Sequence, residues 1–488
     1  MPTDPRGLRA DAPLLDAWLR FREQPPTPFT IPGHKQRIDL VGDVVAGDVP
    51  LYAGLDTMKL TTGPLVDAEA RAARLWGADF CRFSTGGATH ANQAVALAVA
   101  QDGDTVIVSR TLHRSLLLGL VLAGLTPVWV RPEVDLATGL PMGVAPETVR
   151  RALAAHPQAR AVFVGDPSYV GTVGDVAGLA VAAHEHGVPL IVDAAWAAHF
   201  GFHTDLPQHA MQLGADVMVT SAHKTLPAWS QAALVLARTE RLDPARLDAG
   251  VEATATTSPA GAILASIDAA RALLERDGEK LLGDAIAATG EARHRLRSVD
   301  RLAVLDGPDV DPLKLTVVLA GTGADGNAVE QDLLAAGLPV ESADRDVIVA
   351  VVSLADTAAS LTALTDTIIR SVEHRRGTSR PVVGPAAYRV EPVAGLPPRD
   401  AFFAAAEPVP LDRAVGRISA ELVAPYPPGI PVLAPGERIT AATLDALEHA
   451  RRAGVRIAYA ADPALATLRV TVTEPSPLSR SGWCGSAG

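Results

Sequence analysis

Two segments of the chain, Pro189-Leu-Ile-Val-Asp-Ala-Ala-Trp196 and Val217-Met-Val-Thr-Ser-Ala-His-Lys224, decide its fold. Each begins with a short run that is apolar throughout, which is typical of a central strand covered by helices on both faces. In an open α/β sheet, ligands bind beyond the carboxyl ends of the strands. The two segments therefore predict that Asp193 and Lys224 lie at one edge of such a sheet, facing a ligand.

The same pattern continues on both sides of these segments. Helical patterns over residues 91–100, 146–155 and 176–185 alternate with the apolar runs, which predicts βαβ units and a mostly parallel sheet over about residues 70–310. The predicted strands are 105–108, 128–130, 161–164, 190–192, 217–220 and 232–236.

A second alternation of strand and helix patterns begins near Leu313 and predicts a smaller α/β domain. A stretch rich in Pro, Gly and Arg at 375–399 then marks a boundary, and the prolines of 424–437 predict an extended path rather than a helix. The predicted organisation is an N-terminal arm at 1–70, a large domain at 71–310, a small domain at 311–375 and a C-terminal α+β domain at 376–488.

Composition narrows the class of protein. The 488 residues carry a net charge of −12, so no large cationic surface is expected and nucleic acid and anionic membranes are excluded as partners. The two cysteines, Cys81 and Cys484, form no metal-ligand cluster, so no metal is expected. The sequence begins without a signal-peptide pattern and has no apolar run long enough to span a bilayer, which favours a cytoplasmic protein.

Lys224 and Asp193 together indicate a kind of chemistry. A lysine amine and a carboxylate at neighbouring strand ends are what pyridoxal phosphate needs, since one binds the cofactor covalently and the other keeps its pyridine nitrogen protonated. Taken singly, Lys224 could cap a strand end, and Asp193 could be a magnesium ligand or a turn residue.

The segment Phe83-Ser-Thr-Gly-Gly-Ala-Thr-His90 precedes a predicted helix. Glycines and hydroxyls at the start of a helix suit a phosphate monoester, because free N–H groups and the positive end of the helix dipole face it. The segment lacks the patterns of NAD- and ATP-binding loops.

Motifs that occur in a fixed order make the chain resemble the Orn/Lys/Arg decarboxylase family of pyridoxal-phosphate enzymes. Besides the three segments above, they are Ile31-Pro-Gly-His-Lys35, Arg110-Thr-Leu-His-Arg-Ser115, Asp166-Pro-Ser-Tyr-Val-Gly171 and Tyr426-Pro-Pro-Gly-Ile-Pro431. The resemblance implies an α/β fold of fold type I, like aspartate aminotransferase, with a mostly parallel sheet domain, a smaller α/β domain and a C-terminal α+β domain.

The resemblance also implies roles for individual residues. Lys224 binds the cofactor, Asp193 pairs with its ring nitrogen, and His113 stacks on the ring and assists proton transfer, although by itself His113 could be a capping or core histidine. The remaining residues implied to bind the cofactor are Ala88, Thr89, Trp196, Ser221 and His223, with Thr257 and Ser258 contributed to the site of a neighbouring subunit.

Departures from the family pattern concern the substrate more than the cofactor. Ala88 stands where the family usually has Ser, the aspartate is followed by Ala194-Ala195-Trp196, and the segment 55–64 keeps only part of the family pattern. A basic substrate needs a distal carboxylate, for which Glu421 and Asp344 are the candidates.

The resulting expectation is decarboxylation of arginine, lysine or ornithine to the corresponding amine and CO2, with pyridoxal 5'-phosphate as cofactor. Alternatives are another fold-type-I reaction, such as transamination or oxidative deamination, and a catalytically silent homologue that acts by dimerising. A homodimer or dimer of dimers is expected. The chain has no room for the additional N-terminal domain of long family members, so ring assemblies that rest on that domain are not expected.

Overall fold

A computed structural model describes residues 3–24, 27, 29–49, 63–135, 137–382, 390–426, 429–452 and 454–472. Most of the segment 55–64, part of the proline-rich motif that begins at Tyr426, and Cys484 lie outside these residues. Among the described helices, none is long and apolar enough to cross a membrane.

A seven-stranded sheet forms the centre of the large domain, in the order β1-β7-β6-β5-β4-β2-β3. Neighbouring strands from β6 to β3 are parallel, whereas β7 runs antiparallel to both β1 and β6. The strands are short because each apolar run is short, and most of their residues are buried. Their bounds are β1 Phe80–Ser84, β2 Thr105–Ser109, β3 Thr126–Val130, β4 Val162–Gly165, β5 Leu190–Asp193, β6 Val217–Thr220 and β7 Ala233–Ala237.

In the described part of the chain, ten helices accompany this sheet. Local side-chain caps fix where several of them begin: Asp175 accepts the N–H of Gly178 at the start of α7, and His113 accepts that of Ser115 at the start of α5. The helices are α1 Pro13–Glu23, α2 Ile38–Val41, α3 Pro64–Leu75, α4 Gly87–Val99, α5 Arg114–Ala123, α6 Pro146–Ala155, α7 Val176–His184, α8 Ala222–Thr225, α9 Pro244–Thr254 and α10 Gly261–Arg297.

Part of the segment predicted as an N-terminal arm packs on the large domain. Helix α1 buries Leu14 and Phe21, and the N–H of Leu14 donates to Asp268 Oδ2 on α10 at 2.8 Å. Because Asp268 is itself buried, this bond ties α1 to the long helix rather than leaving it as a free extension.

The small domain is a four-stranded antiparallel sheet in the order β10-β11-β9-β8, reached through α10. Pairing of β8 with β9 starts this sheet before residue 311, the predicted start of the domain. Its elements are β8 Ala303–Val304, β9 Lys314–Val318, β10 Ser342–Ala343, β11 Val347–Val351, α11 Gly326–Ala335 and α12 Ala358–His374.

The C-terminal region contains two antiparallel strand pairs, β12 with β15 and β13 with β14. It is joined to the large domain by a buried ion pair in which Arg110 donates to Glu437 at 2.5 and 3.0 Å and to the carbonyl of Pro431 at 3.1 Å. Its elements are β12 Ala406–Pro410, β13 Ala424–Tyr426, β14 Arg456–Ala458, β15 Thr467–Thr471, α13 Pro398–Phe403 and α14 Ala441–Arg452.

The predicted fold class is confirmed, with a mostly parallel sheet domain, a smaller α/β domain and a C-terminal α+β region. Every predicted strand of the large sheet overlaps an observed one, and the strand at 217–220 agrees at both ends. The sequence did not reveal β1, in which Arg82 interrupts the apolar run.

Candidate active site

Asp193 and Lys224 lie at the carboxyl ends of adjacent parallel strands. Asp193 is the last residue of β5 and pairs in register with Val219 of β6, and Lys224 follows β6 in the short helix α8. The N–H of Ala194 donates to the carbonyl of Val219 at 2.8 Å, which continues the pairing just beyond β5. The sheet therefore brings the two residues to the same edge, as the sequence predicts.

A hydrogen-bond network holds the carboxylate of Asp193. Asn92 Nδ2 donates to Asp193 Oδ2 at 2.8 Å, and the N–H of Ala195 donates to Asp193 Oδ1 at 3.3 Å. Asn92 Nδ2 also donates to Ser115 Oγ at 3.1 Å, and Ser115 Oγ lies 2.8 Å from His113 Nδ1. Asp193, on β5, and His113, before α5, are thus oriented through a residue of α4.

His113 is held as a neutral imidazole with its proton on Nε2. Its Nδ1 accepts the N–H of Ser115 at 3.2 Å and therefore carries a lone pair rather than a proton. Burial lowers the pKa of His113, Asp193 opposes that shift, and the charges of Lys224 and Arg114 add to it. The ring has the charge state of a group that can stack on a cofactor and still donate from Nε2.

The amine of Lys224 is mostly shielded from solvent. Burial lowers the pKa of Lys224 below its ordinary value, while the negative charges of Asp193 and Glu341 raise it. Its Nζ lies 3.9 Å from the centre of the Trp196 ring. A lysine whose neutral form is favoured by burial is suited to nucleophilic attack on a carbonyl.

The glycine-rich turn before α4 is the segment in which the sequence predicts a phosphate cradle. Gly87 has φ +69°, and a Cβ at Gly86 would lie 2.7 Å from that of His90, so the tight turn requires glycine. The N–H groups of Ala88 and Thr89 belong to the first turn of α4, where an α-helix supplies no internal acceptor.

Ser221 and His223, which lie just before Lys224 at the end of β6, differ in their hydrogen bonds. Ser221 Oγ is buried and finds no hydrogen-bond partner among the described residues, whereas His223 Nδ1 lies 2.8 Å from the carbonyl of Ala232. A buried hydroxyl without a partner costs free energy unless a ligand satisfies it. Ser221 therefore fits an acceptor-rich group such as phosphate, while His223 fixes the loop to the start of β7.

Thr257 and Ser258 take no part in this network. Both are exposed in the loop between α9 and α10, and Ser258 interacts with its neighbour Thr256 through a contact of 3.4 Å between the two hydroxyls. Their predicted contribution to a neighbouring subunit stays a prediction.

The two carboxylates predicted to read the substrate side chain have other partners. Glu421 accepts the N–H groups of Ala461 and Arg469 at 2.7 and 2.6 Å in the C-terminal region. Asp344 accepts those of Asp346 and Val347, both at 2.7 Å, in the turn between β10 and β11. The structure does not bring either carboxylate into the network around Asp193.

Five residues around the site were not predicted from the sequence as site residues. Asn92 and Ser115 join Asp193 to His113, and a polar Asn inside an otherwise apolar helix was the available signal for the first. Tyr169 packs edge-on against Trp196 at 5.5 Å and donates to Glu341 at 3.4 Å, and Lys314 Nζ lies 3.5 Å from the centre of the Trp196 ring.

No group of three or more His, Cys, Asp or Glu residues that could hold a metal ion occurs in the described part of the chain. The polar groups at the sheet edge are an amine, a carboxylate, an imidazole, a hydroxyl without a partner among the described residues, and helix N–H groups. These groups fit an organic cofactor that carries an aldehyde, a basic ring nitrogen and a phosphate.

Comparison with known proteins gives a consistent assignment. Residues 12–309 match the family model described as Orn/Lys/Arg decarboxylase, major domain, and residues 384–456 match that of the C-terminal domain. The arginine decarboxylase of Halalkalibacterium halodurans is 32% identical over 94% of this chain and 97% of its own length. That of Bacillus anthracis is 31% identical over 96% of this chain and 99% of its own.

Solved structures share the fold at lower identity. Lysine decarboxylase A from Pseudomonas aeruginosa superposes with a TM-score of 0.81 at 22% identity, covering 95% of this chain and 81% of that one. The lysine decarboxylase of Francisella novicida gives 0.80 at 20% identity, covering 94% and 81%.

Proposed function

We propose that arginine is the substrate and agmatine the product, starting from the fact that this chain belongs to the Orn/Lys/Arg decarboxylase family. The chain is accordingly a carboxy-lyase that acts on a basic amino acid. Arginine is favoured because two relatives that are 31–32% identical over nearly the full length, those of Halalkalibacterium halodurans and Bacillus anthracis, are named arginine decarboxylases. A relative named lysine decarboxylase, from Pseudomonas aeruginosa, is 27% identical over 80% of this chain.

The cofactor in this proposal is pyridoxal 5'-phosphate, and the observation that carries it is the placement of Asp193 and Lys224 at adjacent strand ends. Lys224 would bind its aldehyde and Asp193 its ring nitrogen. Ser221 and the first turn of α4 would hold its phosphate. When bound, the cofactor supplies an electron sink for the pair left behind when the bond from Cα to the carboxylate breaks.

The chain's own residues hold a negative charge next to the cofactor ring and donate or accept protons. The hydrogen bond from Asn92 fixes the orientation of the Asp193 carboxylate, so its negative charge stays beside the place where the ring nitrogen of the cofactor would lie. His113, with its proton on Nε2, is linked to Asp193 through Ser115 and Asn92 and can donate from Nε2. The amine of Lys224, with its pKa lowered by burial, can take and return a proton once it is free.

Product analysis tests the reaction. The protein with pyridoxal phosphate is incubated separately with arginine, lysine and ornithine, and the products are identified by mass. Agmatine and CO2 from arginine are expected. Cadaverine or putrescine in its place would reassign the substrate, and a keto acid would indicate transamination or oxidative deamination.

A silent homologue is the remaining alternative, and the absorbance of the lysine-bound cofactor tests it. Lys224→Ala should abolish both this absorbance and amine formation. Lys280→Ala, at an exposed lysine of α10, is the matched control and should change neither. Wild-type protein that shows no such absorbance would overturn the proposal.

We also propose a homodimer in which Thr257 and Ser258 complete the site of the partner subunit. This rests on their exposed position in the loop between α9 and α10 and on the lack, among the described residues, of a hydrogen bond from either one to the network around Asp193. Mixing Lys224→Ala subunits with subunits in which both residues are alanine should recover activity, because one site of each mixed dimer is intact. If the double-alanine variant alone is inactive, no recovery in mixed dimers verified by mass spectrometry would place both residues in the site of their own subunit, and full activity of that variant alone would place them outside any site.

A further inference from the structure

Lys314 is a lysine buried in the protein with no hydrogen-bond partner among the described residues. It is the first residue of β9, only 1% of its surface is exposed, and its Nζ makes no hydrogen bond there. Burying an ammonium group without a partner is costly, because the group loses its hydration and gains nothing in exchange. Such a group is informative when it faces a place where a ligand binds.

Lys314 belongs to the small domain, and its side chain extends towards the large domain. Its side chain packs under the turn at Gly171, where an added Cβ would lie 2.6 Å from both Cβ and Cγ of Lys314. The carbonyl of Gly171 accepts the N–H of Asp311 at 2.8 Å, which fixes β9 against this turn. The position of the ammonium group is thus set by backbone contacts between the domains.

The end of this side chain reaches the candidate active site. Lys314 Nζ lies 3.5 Å from the centre of the Trp196 ring, and Lys224 Nζ lies 3.9 Å from the same point. The ring faces attract cations, but a ring alone replaces only part of the hydration that a buried ammonium group loses. Lys314 therefore has unused donors at the same aromatic ring that Lys224 contacts.

The charges that face Lys314 come from three residues. Asp311 and Glu341 are negative, but Asp311 Oδ1 is engaged by His199 Nε2 at 3.1 Å and by the N–H of Leu313 at 2.9 Å. Lys224 is positive. Burial lowers the pKa of Lys314 to about 8, with Asp311 and Glu341 opposing the shift and Lys224 adding to it, so Lys314 is mostly protonated at neutral pH.

We propose that Lys314 binds the α-carboxylate of the substrate, an inference that rests on the proposed function. A basic amino acid carries two cationic groups and one anion. A buried ammonium beside Lys224 repels the two cationic groups, so the α-carboxylate is the only part of the substrate that it attracts. Lys314 thereby fixes which end of the amino acid enters the site first and holds it next to Trp196.

This contact disappears during the reaction. When the bond from Cα to the carboxylate breaks, the electron pair stays with Cα, CO2 leaves as a neutral molecule, and Cα gains a proton that His113 or Lys224 delivers and solvent replaces. Lys314 keeps its own proton throughout and loses its anionic partner. The product amine has only cationic groups, so Lys314 favours binding of the substrate over the product.

A matched pair of ligands separates this role from a structural one. Agmatine is arginine without the carboxylate, and 5-guanidinopentanoate is arginine without the α-amine, so neither is decarboxylated. Both are titrated calorimetrically into the holoenzyme. Lys314→Met should lower the affinity for 5-guanidinopentanoate at least tenfold and change the affinity for agmatine less than twofold. Lys314→Arg, which keeps the positive charge, should retain most of the affinity for 5-guanidinopentanoate. If lysine is the substrate, cadaverine and 6-aminohexanoate replace the pair.

Two results would overturn the proposal. An equal loss of affinity for both ligands would show that Lys314 only positions Trp196, and an unchanged affinity for both would show that Lys314 contacts neither. Should Lys314→Met fail to fold, the wild-type protein suffices: its preference for 5-guanidinopentanoate over agmatine should fall as the pH rises above about 8. A constant preference would contradict the role. Failure of the proposed function is distinguishable, because wild-type protein would then release no amine from any of the three amino acids.

Discussion

Asn92 Nδ2 donates a hydrogen bond to Asp193 Oδ2 across 2.8 Å, and this bond joins the first half of α4 to the end of β5. Both residues are buried, so the bond is not weakened by competition with water. A carboxylate that must stay charged and aimed at one point needs such a donor, since hydrogen bonds to a charged group are worth about 1.5 to 3 kcal/mol.

Replacing Asn92 should impair the site without exchanging any group proposed to react. Asn92→Leu keeps the shape and removes both donors, so we expect kcat/KM to fall at least tenfold and the cofactor to bind more weakly. Gln93→Leu, the next residue on α4, is the control and should change both little. Full activity in Asn92→Leu would show that Asp193 needs no such orientation.

The hydroxyl of Ser221 should matter for the cofactor and not for the apoprotein. Ser221→Ala removes a buried group that has no partner among the described residues, so the melting temperature of the apoprotein should stay equal or rise. The dissociation constant of pyridoxal phosphate should rise about tenfold, roughly the worth of one hydrogen bond to a charged group.

Thr220→Val provides the contrast to Ser221→Ala. Thr220 Oγ1 donates to the carbonyl of Ala194 at 2.9 Å, so its removal should destabilise the apoprotein by about 1 kcal/mol. If Ser221→Ala lowers apoprotein stability as Thr220→Val does, the hydroxyl of Ser221 has a structural partner instead of a ligand.

The reactivity of Lys224 should depend on Glu341. The negative charge of Glu341 raises the pKa of Lys224, so Glu341→Gln should lower that pKa and make the neutral amine available at lower pH. The rate at which apoprotein recombines with pyridoxal phosphate, measured against pH, should show a midpoint below the 10.5 of a free lysine in the wild type, and lower still in Glu341→Gln. Glu279→Gln, at an exposed position of α10, should leave the midpoint unchanged, and a shift to higher pH in Glu341→Gln would contradict the assignment.

The ion pair of Arg110 and Glu437 should dominate the attachment of the C-terminal region. Glu437→Gln leaves a buried guanidinium without its counter-charge, so we expect a loss of stability of about 3 to 5 kcal/mol in denaturant unfolding. Glu391→Gln, which removes the partner of Arg131 in an exposed pair, should cost no more than about 1 kcal/mol. Equal losses in the two variants would mean that burial of the Arg110 pair has no energetic consequence.

Sequence alone was most informative where a potentially reactive residue directly follows an apolar strand. The run Val217–Thr220 is apolar throughout and is followed by Lys224, so both the strand and the position of the lysine were predictable. Strand β1 was missed because Arg82 breaks its apolar pattern, although its side chain pairs with Glu69 and Asp248 in the folded protein.

A local sequence pattern could not predict the partners of residues whose contacts depend on tertiary packing. Glu421 and Asp344 were predicted as substrate carboxylates because the sequence cannot show which backbone N–H groups they accept. Lys314 was missed because a lysine beside an apolar run is usually a strand end in water. Only the packing of β9 under Gly171 brings it to Trp196.

The link through Asn92 cannot act as a proton wire. Its Nδ2 donates both to Asp193 Oδ2 and to Ser115 Oγ, and an amide nitrogen that donates in both directions neither accepts nor relays a proton. His113 and Asp193 are therefore joined by hydrogen bonds that offer no path for a proton through Asn92, although the charge of Asp193 still acts on His113 through space. This arrangement suits a site where one group must stay ionised throughout a cycle in which protons move nearby.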